Sequence, residues 1–222
     1  MATAEQIVHV SEFTNEAFID FTKAENRARM EEALKKVKAE FGRDYPMWLN
    51  GRKVTTVEKR TSTNPSHPME IIGVFQNATV EMARQAVEDA NKYFDTWKKV
   101  SPQERAKCLF RAAQIVRERK YELNALVCYE VGKTWVEADA DIAETIDFLE
   151  YYGREMLRLG EPQKLTPMRG ERNYLVYIPL GVGVIIPPWN FPCAIMAGMT
   201  MASVVAGNDP IRGSITWARA IL

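Results

Sequence analysis

Apolar residues along this chain fall first into a helical rhythm. Met30, Leu34, Val37 and Phe41 recur three or four residues apart. Lys35, Lys36 and Lys38 lie between them as a solvated face, and Gly42 marks the end. Upstream, residues 1–20 are mixed, with Phe13 and Phe18 as docking points. Downstream, Tyr45-Pro46-Met47-Trp48-Leu49, then Asn50-Gly51, then Arg52-Lys53-Val54 predict a hairpin, because Asn-Gly accepts the positive φ of its tight turn. Thr63-Asn64-Pro65 and His67-Pro68 mark a turn before a strand through Ile71, Ile72, Val74 and Phe75. From Thr79 the helical period returns in a stripe of Val80, Ala83, Val87, Ala90, Phe94 and Trp97. Ser101-Pro102-Gln103-Glu104 reads as a capping box with proline at the first helical position. It opens a helix through Leu109, Ala113 and Val116. A third helix holds Leu123, Leu126 and Val127 and ends at Gly132.

The fourth helix of this bundle is long. Trp135, Ala138, Ile142, Ile146, Leu149, Tyr152 and Met156 form its apolar stripe. Its opposite face carries Glu137, Asp141 and Glu144, then Phe148 and Tyr151, which on pattern alone is a solvated acidic face. Pro162 and Pro167 punctuate a loop. Tyr174, Val176 and Ile178 then alternate as a strand does, and Val182, Val184 and Ile186 carry an apolar run into Pro187. Two prolines cannot sit in a central strand, so the strand ends there. The helix from Pro192 to Ala206 is apolar on nearly every face, which predicts burial, and Gly207-Asn208 forms its C-cap. At about fifteen residues it is short of the roughly twenty that span a bilayer.

Composition narrows the function classes. The 222 residues are 46% hydrophobic, enough for a sizeable core. Lys plus Arg equals Asp plus Glu at 29 each, so nothing in the overall charge points to nucleic acid or an anionic membrane. Cys108, Cys128 and Cys193 are spread apart without a CxxC pair, which fits a reducing compartment. Two histidines, His9 and His67, are too few for a histidine-rich metal site. Acidic residues by position 16 and the lack of an apolar h-region argue against a secretory signal or transit peptide, and the expected location is cytoplasmic.

Candidate chemistry concentrates in Pro188-Trp189-Asn190-Phe191-Pro192, between the last strand and the apolar helix. Open α/β sheets bind ligands at such strand-to-helix loops, and a helix N-terminus favours negative charge. Asn190 offers a neutral amide donor for an oxyanion. A Pro-rich turn whose Asn satisfies local backbone groups explains the same residues.

The string GVGVIIPPWNFP, followed by a small-residue helix and AGN, resembles the aldehyde dehydrogenase superfamily at its cofactor and oxyanion loop. YEVGKTWVEADADIAETIDFLEYYGREM and YIPLGVGVII resemble the 1-pyrroline-5-carboxylate dehydrogenase branch, which oxidises glutamate semialdehyde. The resemblance covers roughly residues 15–208. It implies an α/β chain with a helical bundle, the start of an open Rossmann-like parallel sheet, and an oligomerisation strand resembling Arg172–Ile178. The implied divisions are an N-terminal extension over 1–44, part of the NAD-binding domain over 45–208 and a non-homologous tail over 209–222. The implied reaction is NAD-dependent oxidation of L-glutamate 5-semialdehyde to L-glutamate in a homo-oligomer. Asn190 matches the oxyanion donor, and Ile186, Pro187, Pro188 and Trp189 match positions lining NAD. Glu144 and Phe191 match residues beside the aldehyde. Gly181 and Gly183 precede the strand and are no phosphate loop.

The tail departs from the family. After Gly207-Asn208 relatives continue with a strand ending in Lys-Pro, and later with a catalytic glutamate and cysteine. Asp209 to Leu222 offer no counterpart, and none of the three cysteines sits in the nucleophile's context. Cys193 reads as a buried structural thiol. The expected explanation of the abrupt change is a frameshift or premature stop near codon 209, and the chain alone is expected to be inactive. Missing strand neighbours imply low solubility or self-association. Two other readings remain: a dehydrogenase for a different aldehyde, and a non-catalytic module pairing with full-length relatives by strand addition.

Overall fold

Three helices of this chain carry an acidic residue in the first turn and a basic one in the last, each complementing the helix dipole. The computed structural model describes residues 10–212; His9 and the tail beyond 212 lie outside the described residues. The elements run α1 (Ala24–Lys38), β1 (Arg43–Tyr45), β2 (Met47–Leu49), β3 (Arg52–Val54), β4 (Lys59–Asn64), β5 (His67–Gln76) and α2 (Val80–Trp97). They continue with α3 (Pro102–Glu118), α4 (Lys120–Val131), α5 (Trp135–Gly160), β6 (Val182–Ile185), α6 (Ala194–Val205) and β7 (Asp209–Arg212). Three small sheets result: β1-β5-β4, the β2-β3 hairpin, and a parallel β6-β7 pair.

The core lies among α1, α3, α4, α5 and α6. Met30, Leu109, Leu123, Ile142, Ile146 and Leu149 are its large, fully buried side chains. The stripes of the central helices therefore face one another as their periodicity predicts. Asn50 and Gly51 both take positive φ and turn the β2-β3 hairpin. Gly132 closes α4 in the left-handed conformation. Ser101 Oγ accepts the Glu104 N–H to start α3, but the Glu104 carboxylate turns outward to Lys107. The full reciprocal capping box belongs to α5, between Thr134 and Glu137.

Several expectations are corrected. Gly42 does not cap α1, which ends at Lys38; it turns the chain into β1 and donates its N–H to Ile71 O. Phe13 docks edge-to-face on Tyr151, but Phe18 is exposed and Phe21 takes the docking role against Trp135. Residues 174–178 pair with none of the sheets among the described residues. Along β6 the buried residue is Ile185, while Val184 and the following Ile186 are exposed. The acidic face of α5 is not uniformly solvated: Asp139 and Asp141 are buried. Asp139 receives Asn124 Nδ2, the Ile19 N–H and Lys120 Nζ, which ties the N-terminal segment to the bundle.

A neighbour for β6 exists as well. β7 pairs with it in parallel from Val182↔Asp209 to Ile185↔Arg212. Between them α6 returns the chain, capped by Gly207 and Asn208 N–H groups bonding back to Val204 O and Ser203 O. Asn208 Oδ1 also accepts the Leu180 and Gly181 N–H groups, fixing the entry to β6. The α2 stripe forms, yet α2 has no buried residue: Val80 and Val87 are exposed. Trp97 Nε1 donates to Val204 O, which pins the end of α2 against α6. No helix among the described residues is long and apolar enough to cross a membrane.

Candidate functional site

The site begins where β6 ends. Pro187 and Pro188 bring no N–H for a ladder, so the chain leaves the sheet after Ile186. Ile186, Pro188, Trp189 and Asn190 are exposed along the loop, Pro187 is half-buried, and Pro192 is buried. Ile195 N–H donates to Phe191 O at 3.2 Å, closing a helical turn around Pro192 before α6 proper begins. Proline thus sits where its missing donor costs nothing.

The N-terminus of α6 has no cap from its own N-cap residue, Cys193. Asp141 of α5 supplies one. Its Oδ1 accepts the Ala194 N–H at 2.8 Å. A carboxylate there complements the positive end of the helix dipole. Asp141 Oδ2 receives Lys133 Nζ at 3.1 Å. The same ammonium lies 3.8 Å from the centroid of the Phe191 ring. α5, the α4–α5 connection and the loop before α6 therefore meet at one point.

Burial pushes the Asp141 carboxyl up, against the opposing pull of the Ala194 amide and Lys133. Glu144, on the next turn of α5, is exposed by area, yet its carboxyl is raised by desolvation and then by the Asp141 charge, with Lys133 opposing. Cys193 is fully buried and its thiol is pushed up to about 12 by burial, so it is no thiolate nucleophile at neutral pH. Burial pushes Cys128 up to about 12 as well, and Cys108 lies exposed on α3. Among the described residues no group of three His, Cys, Asp or Glu is arranged to hold a metal ion.

Each sequence-derived residue has its place. Ile186, Pro187, Pro188, Trp189 and Asn190 follow one another along the loop leaving β6, and Phe191 meets Lys133. Glu144 stands on α5 within electrostatic reach of Lys133 and Asp141. Lys133 and Asp141 escaped sequence reasoning. A signal was present: Asp141 falls three residues after Ala138 and four before Thr145, both buried, so it shares their inward side.

The family model described as "Aldehyde dehydrogenase family" matches residues 52–212. The 1-pyrroline-5-carboxylate dehydrogenase of Geobacillus sp. (strain WCH70) is 53% identical over 199 residues, which are 90% of this chain and 39% of that protein. The enzyme of that name from Bacillus cytotoxicus is 52% identical over 198 residues, 88% of this chain and 38% of its own. The chain thus spans about two fifths of the length of the curated relatives it matches. Among solved structures, a 1-pyrroline-5-carboxylate dehydrogenase from Thermus with bound NAD superposes with a TM-score of 0.88 at 47% identity, over 91% of this chain and 40% of that one. Proline utilization A from Bdellovibrio bacteriovorus gives a TM-score of 0.89 at 38% identity, over 90% of this chain and 21% of that one.

Proposed function

The chain belongs to the aldehyde dehydrogenase family, and from that premise we propose that it supplies the oxyanion-loop part of an NAD-dependent dehydrogenase. The substrate on this reading is L-glutamate 5-semialdehyde, the open form of 1-pyrroline-5-carboxylate, and the product is L-glutamate. The observation that carries it is the Pro188-Trp189-Asn190-Phe191-Pro192 loop, held at the end of β6 in a chain about half identical to dehydrogenases of that name.

The residues fit the group that the family uses. Ile186 and Trp189 expose apolar surface at the carboxyl end of a parallel strand, where open sheets take nucleotides. Pro187 and Pro188 complete that rim. NAD held there would supply the acceptor for hydride leaving the tetrahedral adduct that a nucleophile forms with the aldehyde. Asn190 offers its amide N–H to the oxyanion that develops as that adduct forms, a donor worth roughly a hundredfold to a thousandfold in rate in comparable sites. Phe191 walls the aldehyde site and Glu144 presents a carboxylate beside it. On this reading the chain alone turns over no aldehyde, because Cys193 is buried and Cys108 and Cys128 lie on other helices.

A chimera tests this. Residues 52–212 of this chain replace the matching part of the Geobacillus relative, and turnover with NAD is measured on L-glutamate 5-semialdehyde and on propanal. Preference for the semialdehyde, lost roughly a hundredfold or more in rate on Asn190→Ala, is the expected result. A chimera preferring propanal, or indifferent to Asn190, overturns the assignment. A second reading rests on a separate observation: residues 174–178 are exposed, apolar and without a ladder among the described residues. Such a segment suits strand addition to another copy or to a full-length relative.

A further inference from the structure

Three of the six residues from Pro187 to Pro192 are prolines and bring no N–H to the backbone network. The loop's orientation therefore depends on what its side chains and the first amides of α6 can grip. Two residues outside the loop do the gripping. Asp141 divides its oxygens, one to the Ala194 N–H at 2.8 Å and one to Lys133 Nζ at 3.1 Å. Lys133 in turn sits over the Phe191 ring at 3.8 Å. Both partners are anchored themselves: Lys133 lies between the left-handed Gly132 that ends α4 and Thr134, the N-cap of α5. Asp141 lies on an inward side of α5, with Thr145 Oγ1 bonding back to its carbonyl at 2.9 Å.

We propose that Lys133 and Asp141 are positioning residues, an ion pair with a buried carboxylate and a partly buried ammonium that orients Asn190 and Phe191 by holding the first turn of α6 and the Phe191 ring at once. The chemistry suits the task. A desolvated ammonium over an aromatic face is attracted to the ring. The carboxylate fixes the ammonium, and its second oxygen fixes the helix. Neither residue touches the aldehyde; each acts through the loop. The catalytic consequence rests on the function proposed above, whereas the positioning itself does not.

The test uses this chain with Lys133→Met, Lys133→Arg and Asp141→Asn. Two readouts separate positioning from general stability: amide hydrogen exchange across residues 189–195, and the proton shifts of the Lys133 side chain, which an overlying ring moves upfield. Lys133→Met should speed exchange at 189–195 about tenfold while amides at Ile142 and Ile146 in α5 stay protected, the pattern of local rather than global opening. Lys133→Arg should restore protection to within about twofold, because guanidinium both pairs with carboxylate and stacks on aromatic rings. Asp141→Asn should remove the upfield shift, since the ammonium loses its anchor. Exchange that rises equally in loop and core overturns the proposal, as does Arg behaving like Met, or an unshifted Lys133 signal in the parent chain. No substrate enters these measurements, so failure of the semialdehyde assay leaves them standing, and their failure leaves that assay standing.

Discussion

Arg105 and Asp141 hold opposite ends of one helix. Arg105, buried on α3, donates from Nε to Val205 O at 2.7 Å, and Asp141 accepts the Ala194 N–H at 2.8 Å. A cation at the carboxyl end and an anion at the amino end both complement the dipole of α6. The helix that follows the candidate loop is thus fixed in position by charges of the bundle rather than by polar side chains of its own.

Arg105 should accordingly be costly to remove. It also bonds to Val100 O and approaches Met156 Sδ, and burial holds its pKa below the usual arginine value. Arg105→Met strips buried carbonyls of their donor, with an expected loss of about 2–3 kcal/mol. Arg105→Lys cannot span both carbonyls and should fall between. Urea titrations followed by circular dichroism measure this; an unchanged midpoint for Arg105→Met would refute it.

Asp141 sets a direction for the pH dependence. Its folded carboxyl is raised by burial above the unfolded value of about 4. The folded state therefore binds more protons in that window, and stability falls as pH rises. The contribution is fully present below the unfolded pKa and is lost as pH passes through the folded one. Asp141→Asn removes this titration. The stability of the parent chain relative to the variant should decline from about pH 4 upward and then level off. A difference that grows with pH would mean that Lys133 and the Ala194 amide outweigh desolvation.

The bundle and the loop were legible in the sequence because each is written in local pattern. The stripes on α3, α4 and α5 follow the helical period, Asn50-Gly51 sets the hairpin, and the proline-bounded loop stands out by composition. What stayed hidden depends on partners remote in sequence. Asp139 and Asp141 look like surface acids until Lys120 and Lys133 arrive from outside α5. Three-residue β1 carries no pattern of its own and pairs in parallel with β5, some thirty residues on. The alternation at Tyr174–Ile178 is real, but a local pattern does not say which edge, if any, the segment joins. Ile185 is buried because α6 lies on its side of β6, a fact the alternation alone could not orient.

Gly153 tests how tightly α3 and α5 meet. A Cβ built there would lie 2.5 Å from Phe110 Cε1 and 2.8 Å from its Cζ, closer than real contacts allow. Gly153→Ala should gain up to about 1 kcal/mol in helix propensity and lose about 1–3 kcal/mol to overpacking. The net expectation is destabilisation. Gly153→Ala with Phe110→Leu should recover part of the loss, because the clash is with the ring alone. Thermal melts of the two single variants and the double variant decide it; additive losses would place the strain elsewhere.

Exposed apolar surface makes the last prediction. Val176 and Ile178 are 72% and 76% exposed, Leu180 is 96% exposed, and Ile186 and Trp189 add 73% and 75% beyond β6. Val80 and Val87 leave the α2 stripe open as well. Surface of this kind, beside a parallel pair with backbone groups at its edges, drives association between chains. The purified chain should therefore show a weight-average mass that rises with concentration in sedimentation equilibrium. Val176→Lys with Ile178→Lys places two charges on the segment and should shift that curve toward the monomer, since edge lysines oppose pairing. Neither residue belongs to the core, so the circular dichroism spectrum should not change. A concentration-independent monomer with a cooperative melt in the parent chain would show that this surface is tolerated in water.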